Sequence, residues 1–283
     1  MSIKVIKAGF ATSIQNFGTP LQGSKIQNGA MDKLAFLWGN YLLGNNQNCY
    51  SLEIAFGMAK FEILNNIWIS ITGAKCNITI NKQYYKLWTA IKVKRGDIIE
   101  FGATTNGVRN YLNIKNGFNN NVVIDGSILK TTTNTNNGLL RFMPSKFIPN
   151  YGCNLTLNII VNHYDNNFSE LDIDYFLNKK WQISNLNNRS VYRLNAGKLI
   201  TTSNFISQGN SFGSVQITPN GEPIIMHIDA PIVGGYAKIG TVFSMDMYSL
   251  SQRKSGDFVN FKEIHIVDAQ SKLKFFAKLL KSL

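Results

Sequence analysis

Cysteine is scarce: there are three, Cys49, Cys76 and Cys153, far apart and never arranged as Cys-x-x-Cys. That argues against a zinc ribbon and a secreted disulfide framework and fits a reducing compartment. Histidine is equally sparse, and His163, His227 and His265 are too widely separated to form a local ligand pair, so no metal site is expected. There is no Gly-x-Ser-x-Gly elbow and no Walker phosphate loop, which argues against a stand-alone zinc hydrolase or ATPase. No run approaches the ~20 apolar residues of a membrane span. Met1 to Phe17 carries Lys4 and Lys7 but no continuous apolar stretch or cleavage site. A cytoplasmic protein, neither exported nor membrane-spanning, is the expectation.

What is abundant is apolar material: 44% of the 283 residues are hydrophobic and 12% aromatic, against 16% charged. A chain of this length buries roughly 75% of the surface that its unfolded form exposes, so stability requires neither metal nor disulfide. Lysine and arginine number 29 against 16 acidic residues, a formal charge of +13. The lysines are scattered singly through strand-like segments, with no basic stripe, ribonucleoprotein signature or helix-turn-helix pattern, so nucleic acid is not the expected partner. The 35 asparagines, with abundant Lys and Ile, point to compositional drift, and part of the charge needs no mechanism.

Strand patterns dominate. Ile91 to Phe101 alternates around a Lys94-Arg95-Gly96-Asp97 turn, Val108 to Lys115 alternates again, and Val215 to Asp229 reads as two strands joined at Pro219-Asn220-Gly221-Glu222. Gly29 to Leu43 is the best helix, with Asn28 as N-cap, Asp32 in the first turn and Gly44 as stop. The tail from Asp268 to Leu283 is amphipathic, and reads as a closing helix docked on the body with its lysines solvated, with a membrane-surface or partner helix as the alternative. Lys94 to Phe101 is echoed by Lys254 to Phe261, each a Gly-Asp turn that launches a short strand ending in Phe. Two related β-rich halves are therefore expected. Asn116 to Asn154, rich in Asn and Thr and without periodicity, reads as long loops, and the boundary is placed near residue 150.

Four segments suit binding as well as packing. Thr12 to Thr19, with Gln15, Asn16 and Gly18, precedes the helix start at Asn28-Gly29-Ala30-Met31-Asp32, whose free amides would attract a carboxylate or phosphate; turn chemistry explains the same residues. In Ile71-Thr72-Gly73-Ala74 the glycine admits a ligand or a neighbouring backbone. Asn187-Asn188-Arg189-Ser190 with Tyr192-Arg193-Leu194 places arginines in a low-charge chain, suited to bidentate anion recognition or to a solvated surface. Gly234-Gly235-Tyr236-Ala237-Lys238-Ile239-Gly240 combines exposed backbone, a phenol and a cation, enough to cradle a planar anion; a β corner with a solvated lysine is the alternative. His227 reads as a core or sheet-face residue.

In this order, and with Ile6-Lys7-Ala8-Gly9, Asn40 to Asn45, Leu52-Glu53, Arg109-Asn110-Tyr111-Leu112, Asp125-Gly126-Ser127 and Val215-Gln216-Ile217-Thr218-Pro219, the chain resembles the KipA-like family. That family is also known as the C-type subunits of 5-oxoprolinase, as allophanate hydrolase subunit 2 or as biotin-dependent carboxyltransferase-like proteins. The resemblance implies a mainly β fold of two cyclophilin-like β-barrel subdomains, residues 1–150 and 151–283, with few short helices. It implies a complex with two partners, a KipI-like protein of B type and a LamB-like protein of A type, that opens 5-oxoproline to glutamate. ATP would act in that complex and not be bound by this chain alone, with neither metal nor biotin evident in the chain. An anionic amide or lactam would be held by residues drawn from Gln15, Asn28, Gly29, Asp32, Thr72, Arg109, Arg189, Gln216, Gly234, Gly235, Tyr236 and Lys238. Of these, Arg109, Arg189, Lys238 and the helix start at Gly29 are the anion holders, expected to meet in one cleft. No catalytic residue is assigned.

The chain departs from the family pattern at polar positions. Asn16-Phe17-Gly18-Thr19 stands where Asp-x-Gly-Arg is usual, Pro231-Ile232-Val233 where Gln-Thr-Thr is common, Asn188-Arg189 for Asp-Arg, and Val191 for Gly. Such changes remove hydrogen-bonding groups that a buried polar substrate uses. They leave two alternatives open: a non-catalytic regulator of a KipI-like partner, and a urea carboxylase-type carboxyltransferase subunit with its biotin carrier supplied in trans.

Overall fold

The computed structural model describes residues 2–18, 29–119, 122–131, 138, 140–152, 154–163, 167–195, 197–199 and 207–281. The chain divides into two compact units, Met1–Thr19 with Asp32–Gly152, and Pro20–Met31 with Cys153–Leu283. Alternating apolar residues build each of them from strands.

The first unit contains β1 (Ser2–Lys7), β2 (Ala11–Gln15), α1 (Lys33–Leu42), β3 (Ser51–Ala55), β4 (Lys60–Ile63), β5 (Ile67–Ile80), β6 (Gln83–Tyr85), β7 (Ala90–Val93), β8 (Ile98–Ile114) and β9 (Ile128–Lys130). The nine strands form one antiparallel sheet of order β2-β3-β8-β4-β1-β9, with β5 pairing β6, β7 and β8, curled into a half-barrel. β4 shows the pattern plainly: Phe61 and Ile63 face the core while Lys60 and Glu62 do not. α1 is fastened to β5 by two buried hydroxyls, Ser70 donating to Gly39 O at 2.7 Å and Thr72 to Ala35 O at 2.7 Å.

The second unit contains β10 (Asn154–Val161), α2 (Glu170–Asn178), β11 (Trp181–Ile183), β12 (Val191–Asn195), β13 (Gln208–Gly209), β14 (Ser214–Ile217), β15 (Pro223–Met226), β16 (Val233–Gly234), β17 (Ala237–Val242), α3 (Ser244–Leu250), β18 (Phe258–Glu263) and α4 (Ile266–Lys281). Seven strands close into a barrel of order β10-β17-β14-β15-β12-β11-β18, completed by the parallel pairing of β18 with β10. β13 and β16 make a separate two-stranded ribbon. Leu157, Trp181, Leu194, Val215, Ile217, Ile239 and Val259 fill the core with Phe176 of α2 and Met247 of α3.

The mainly β fold expected from the sequence is present as one closed barrel and one curled half-barrel. The hairpin at 218–222 forms, with Val215 opposite Ile225 and Gly221 at φ +81°. Helix boundaries differ. α1 starts at Lys33, four residues later than expected, because Asp32 is itself the N-cap, its side chain accepting from Ala35 N. Asn28, the expected cap, lies outside the described residues. α2 and α3 were not anticipated, although Ser169 and Asp172 form a capping box at the head of α2. α4 packs chiefly through Ala269, against Phe243 and Ile264; Leu273 and Phe275 are exposed and Phe276 is half-buried, so the expected docking is partial over the described side chains. The Asn-rich stretch contributes β9 and a 3-10 turn at Ser145–Phe147.

Candidate functional site

In the first unit, antiparallel pairing of β3 with β8 sets Glu53 opposite Tyr111 and Ala55 opposite Arg109. Tyr111 Oη donates to Glu53 Oε2 at 2.7 Å and accepts from Asp32 N at 2.8 Å, and Arg109 Nε lies 3.6 Å from Glu53 Oε1. Asp32 completes the chain of bonds, with Oδ1 capping Ala35 N at 3.0 Å and Oδ2 accepting from Tyr151 Oη at 2.7 Å. All five side chains are buried, Arg109 the least so at 9% exposure. Burial, reinforced by the charges of Glu53 and Asp32, pushes the Tyr111 hydroxyl well above its usual range. It therefore stays protonated and serves as a fixed donor. The helix opens at Lys33, so the first-turn amide of Ala35 is capped by Asp32 from within the chain.

Gly73 makes this cluster possible. It sits at φ +99°, and a Cβ there would fall 2.2 Å from Arg109 O. Of the two uses suggested for this glycine, the geometry shows the close approach of a neighbouring backbone. Thr72 beside it is buried and holds α1. Gln15 bonds Ser13 Oγ at 2.8 Å. Beside the cluster, burial pushes the Lys33 ammonium down from its usual range, and its Nζ lies 4.6 Å from the centre of the Phe17 ring.

In the second unit, Arg189 precedes β12 and Asp229 follows β15, and the pairing of those strands brings them together. Arg189 Nε donates to Asp229 Oδ2 at 2.6 Å, and Nη2 to Asp229 Oδ1 at 3.3 Å and to Gly29 O at 2.7 Å. The guanidinium is thus matched to a carboxylate and tied to the Gly29 carbonyl.

A second constellation stands on the barrel wall of the same unit. Val215 and Ile217 on β14, and Ala237 and Ile239 on β17, point into the core, so Gln216 and Lys238 between them point outward. The two are register partners across a bulge, with Cα atoms about 5 Å apart. The β13–β16 ribbon is tied to both. Gln216 Nε2 donates to Asn210 Oδ1 at 2.5 Å, Lys238 Nζ to Gly209 O at 3.1 Å, and Asn210 Nδ2 to Pro231 O at 3.0 Å. Gly234 lies against the Asn210 side chain, and Tyr236 is 44% exposed. Lys238, with three ammonium protons and one bonded carbonyl, retains capacity for an anion.

The structure therefore gathers Asp32 and Arg109 in one unit, and Gly29 with Arg189, and Gln216 with Gly234 and Lys238, in the other. Tyr151 and Asn210 were missed. Asn210 follows a two-residue strand that carries no periodic signal, and Tyr151 lies in the aperiodic stretch. His227 is buried, its Nδ1 accepting from Ile228 N at 2.8 Å and its Nε2 3.3 Å from Met247 O. It is a core histidine. Among the described residues no group of three or more His, Cys, Asp or Glu could hold a metal ion. None of the helices there is long and apolar enough to cross a membrane.

A closed barrel and a curled half-barrel in one chain, each holding a charged cluster, define a class of two-part β proteins. The chain belongs to the family of the carboxyltransferase domain, subdomain A and B, whose model matches residues 26–139 and 124–263. It is 27% identical over 303 residues to the C-type subunit of 5-oxoprolinase from Escherichia coli, covering 98% of this chain and 97% of that protein. It is 24% identical to urea amidolyase of Saccharomyces cerevisiae, covering 95% of this chain but 17% of the yeast protein. The crystal structure of Kluyveromyces lactis urea carboxylase shares the fold with a TM-score of 0.90 at 22% identity, over 99% of this chain and 29% of that one.

Proposed function

We propose that this chain is the C-type subunit of an ATP-dependent 5-oxoprolinase, a cytoplasmic hetero-oligomer with a KipI-like partner of B type and a LamB-like partner of A type. The observation that carries this reading is the alignment to the E. coli protein, which takes in nearly the whole of both chains. The urea-utilising relatives match only as parts of much longer proteins.

The chemistry demands what these residues can supply. A lactam carbonyl is a poor electrophile, and when ATP is bound in the complex it supplies a phosphoryl group that turns the lactam oxygen into a leaving group. This chain's share is to hold a small anion and orient its amide, work suited to Lys238, Gln216 and the Gly234-Gly235 backbone. The ammonium of Lys238 can pair the substrate carboxylate, while Arg189 and Arg109 are already matched to Asp229 and Glu53 in their own units.

The test is to express the chain with its A- and B-type partners and follow glutamate release from 5-oxoproline with and without ATP. Release that needs all three proteins supports the reading; full activity from the two partners alone removes this chain from the chemistry. A second reading, a urea carboxylase-type carboxyltransferase, is favoured by the fold match to the K. lactis enzyme. It predicts ATP-independent transfer of a carboxyl group to urea from a carboxybiotin carrier supplied in trans.

A further inference from the structure

Among the described residues of the second unit, one buried side-chain oxygen is left without a partner. Gln216 is 1% exposed, and its Oε1 is buried with no hydrogen bond. The orientation of its amide is set by a chain of bonds that begins at a carbonyl. Pro231 O takes the Asn210 Nδ2 protons, so Asn210 turns Oδ1 toward Gln216, and Gln216 must answer with Nε2. Asn210 is held further by its own N–H, which donates to Ile232 O at 2.7 Å. Flipping Gln216 would set acceptor against acceptor at Asn210 Oδ1, and flipping both amides would do the same at Pro231 O. Its oxygen is therefore constrained to look for an N–H or O–H from elsewhere, because a buried carbonyl left unmatched is costly.

The neighbours narrow what would answer it. Lys238, the register partner on the same outer face, offers an ammonium with protons to spare. The β13–β16 ribbon tied to Gln216 through Asn210 has two residues per strand, the kind of element that opens locally at small cost. The Pro231 and Ile232 carbonyls, not their side chains, set the acceptor, so the departure from Gln-Thr at these positions leaves it intact.

We infer that Gln216 Oε1 is the acceptor for the ring N–H of a lactam or similar secondary amide bearing a carboxylate, and that Lys238 takes that carboxylate. This rests on the proposed function for its choice of ligand. A site that offers an acceptor to an N–H rejects the analogue lacking it far more strongly than a shape-only pocket does.

Three probes dissect the two contacts in calorimetric titrations of the full chain: 5-oxoproline, N-methyl-5-oxoproline and 2-pyrrolidinone. The unsubstituted chain should bind 5-oxoproline at least tenfold more tightly than its N-methyl form. Gln216→Met should bring 5-oxoproline down to the level of the N-methyl compound and leave the latter unchanged. Lys238→Met, at a half-buried surface position where folding is not at risk, should weaken both carboxylates at least tenfold and leave 2-pyrrolidinone unaffected. Circular dichroism verifies that the Gln216 variant is folded. Retention of the N–H preference by folded Gln216→Met, or absence of that preference or of any binding in the unsubstituted chain, overturns the inference and leaves Oε1 to a buried water. Equal loss of all three probes in Lys238→Met overturns the lysine's part. In the assembled complex the two ideas separate. Glutamate release with KM unchanged by Gln216→Met keeps the proposed function and ends this inference. Gln216-dependent N–H preference in a complex that releases no glutamate does the reverse.

Discussion

The two units use the same turn and build different things with it. In the first, Gly96 at φ +90° donates its N–H to Ile63 O at 2.7 Å, Asp97 O accepts from Ile63 N at 2.9 Å, and Asp97 Oδ2 caps Lys94 N at 2.7 Å. In the second, Gly256 at φ +88° donates to Ile183 O at 2.9 Å, Asp257 O accepts from Ile183 N at 2.8 Å, and Asp257 Oδ2 caps Lys254 N at 3.0 Å. β4 runs into the first turn's strand and β11 into the second's, with antiparallel register in both. The strand launched by the turn is where they part. β18 stops after six residues and pairs in parallel with β10 to close a barrel, whereas β8 runs for 17 residues and serves β3, β4 and β5 in turn. A long shared strand keeps one sheet open; a short one lets the other close.

That contrast fails first at Gly73, where β5 crosses β8 with backbone against backbone. Gly73→Ala places a Cβ within 2.2 Å of Arg109 O at a φ of +99°, so neither rotation nor a flexible neighbour relieves the clash. A loss of about 3 kcal/mol or more is expected. Gly96→Ala and Gly256→Ala meet nothing within 4 Å, and each should cost only about 1 kcal/mol, from backbone conformation alone. Hydrogen exchange read by peptide checks this: Gly73→Ala should strip protection from β5 and β8 while β14 and β17 keep theirs. Protection lost equally across both units would mean that they do not unfold separately.

The buried charges sharpen the same comparison. The first unit seals Glu53, Arg109 and Asp32 around Tyr111, while the second leaves Arg189 and Asp229 about a quarter exposed. Tyr111→Phe removes the donor to Glu53 and the acceptor of Asp32 N, and should destabilise by about 2 kcal/mol. It also changes the pH dependence. The hydroxyl's folded pKa is raised above its unfolded value near 10, so its contribution is fully present below that pH and is lost as pH rises through the folded value. Denaturant midpoints measured from about pH 8 to pH 11 should therefore fall more steeply for the unsubstituted chain than for Tyr111→Phe. An identical alkaline slope in both would show that Tyr111 does not carry it.

The sequence makes much of this legible, and the limits have physical causes. Alternation and the Gly-Asp echo reveal the strands and the shared turn, because strand period and turn chemistry are local properties. Closure of one barrel depends on the pairing of β10 with β18, far apart in the chain, and no local pattern records it. The helix start was misplaced since Asn28 and Asp32 are equally good caps in isolation, and only the Tyr111 and Tyr151 hydroxyls single out Asp32. For the site, Arg189 and Lys238 stand out by type and Gln216 only through the family resemblance, and their partners Asp229 and Asn210 become visible only through pairing. Whether a polar atom is satisfied, as at Gln216 Oε1, is a property of geometry alone.

The smallest effect tests how alike the two turns are. Asp97 Oδ1 also accepts from Asn81 Nδ2 at 2.8 Å, and Asn81 Oδ1 in turn accepts from Ile98 N at 2.9 Å, so the first turn is bound into the hairpin after β5. Asp257 makes the bond to Lys254 N, and among the described residues it has no counterpart to Asn81. Removing the carboxylate costs both turns one capping bond, but the first loses a second bond and the support of Asn81. Asp97→Ala should therefore destabilise by about 1 kcal/mol more than Asp257→Ala in paired denaturant titrations. Adding Asn81→Ala should cost less beside Asp97→Ala, where only the bond from Ile98 N is left to lose, than beside Asp257→Ala, where both Asn81 bonds go. Equal additivity in the two backgrounds would mean that the Asn81 bond contributes nothing, and that the turns are equivalent in energy as well as in shape.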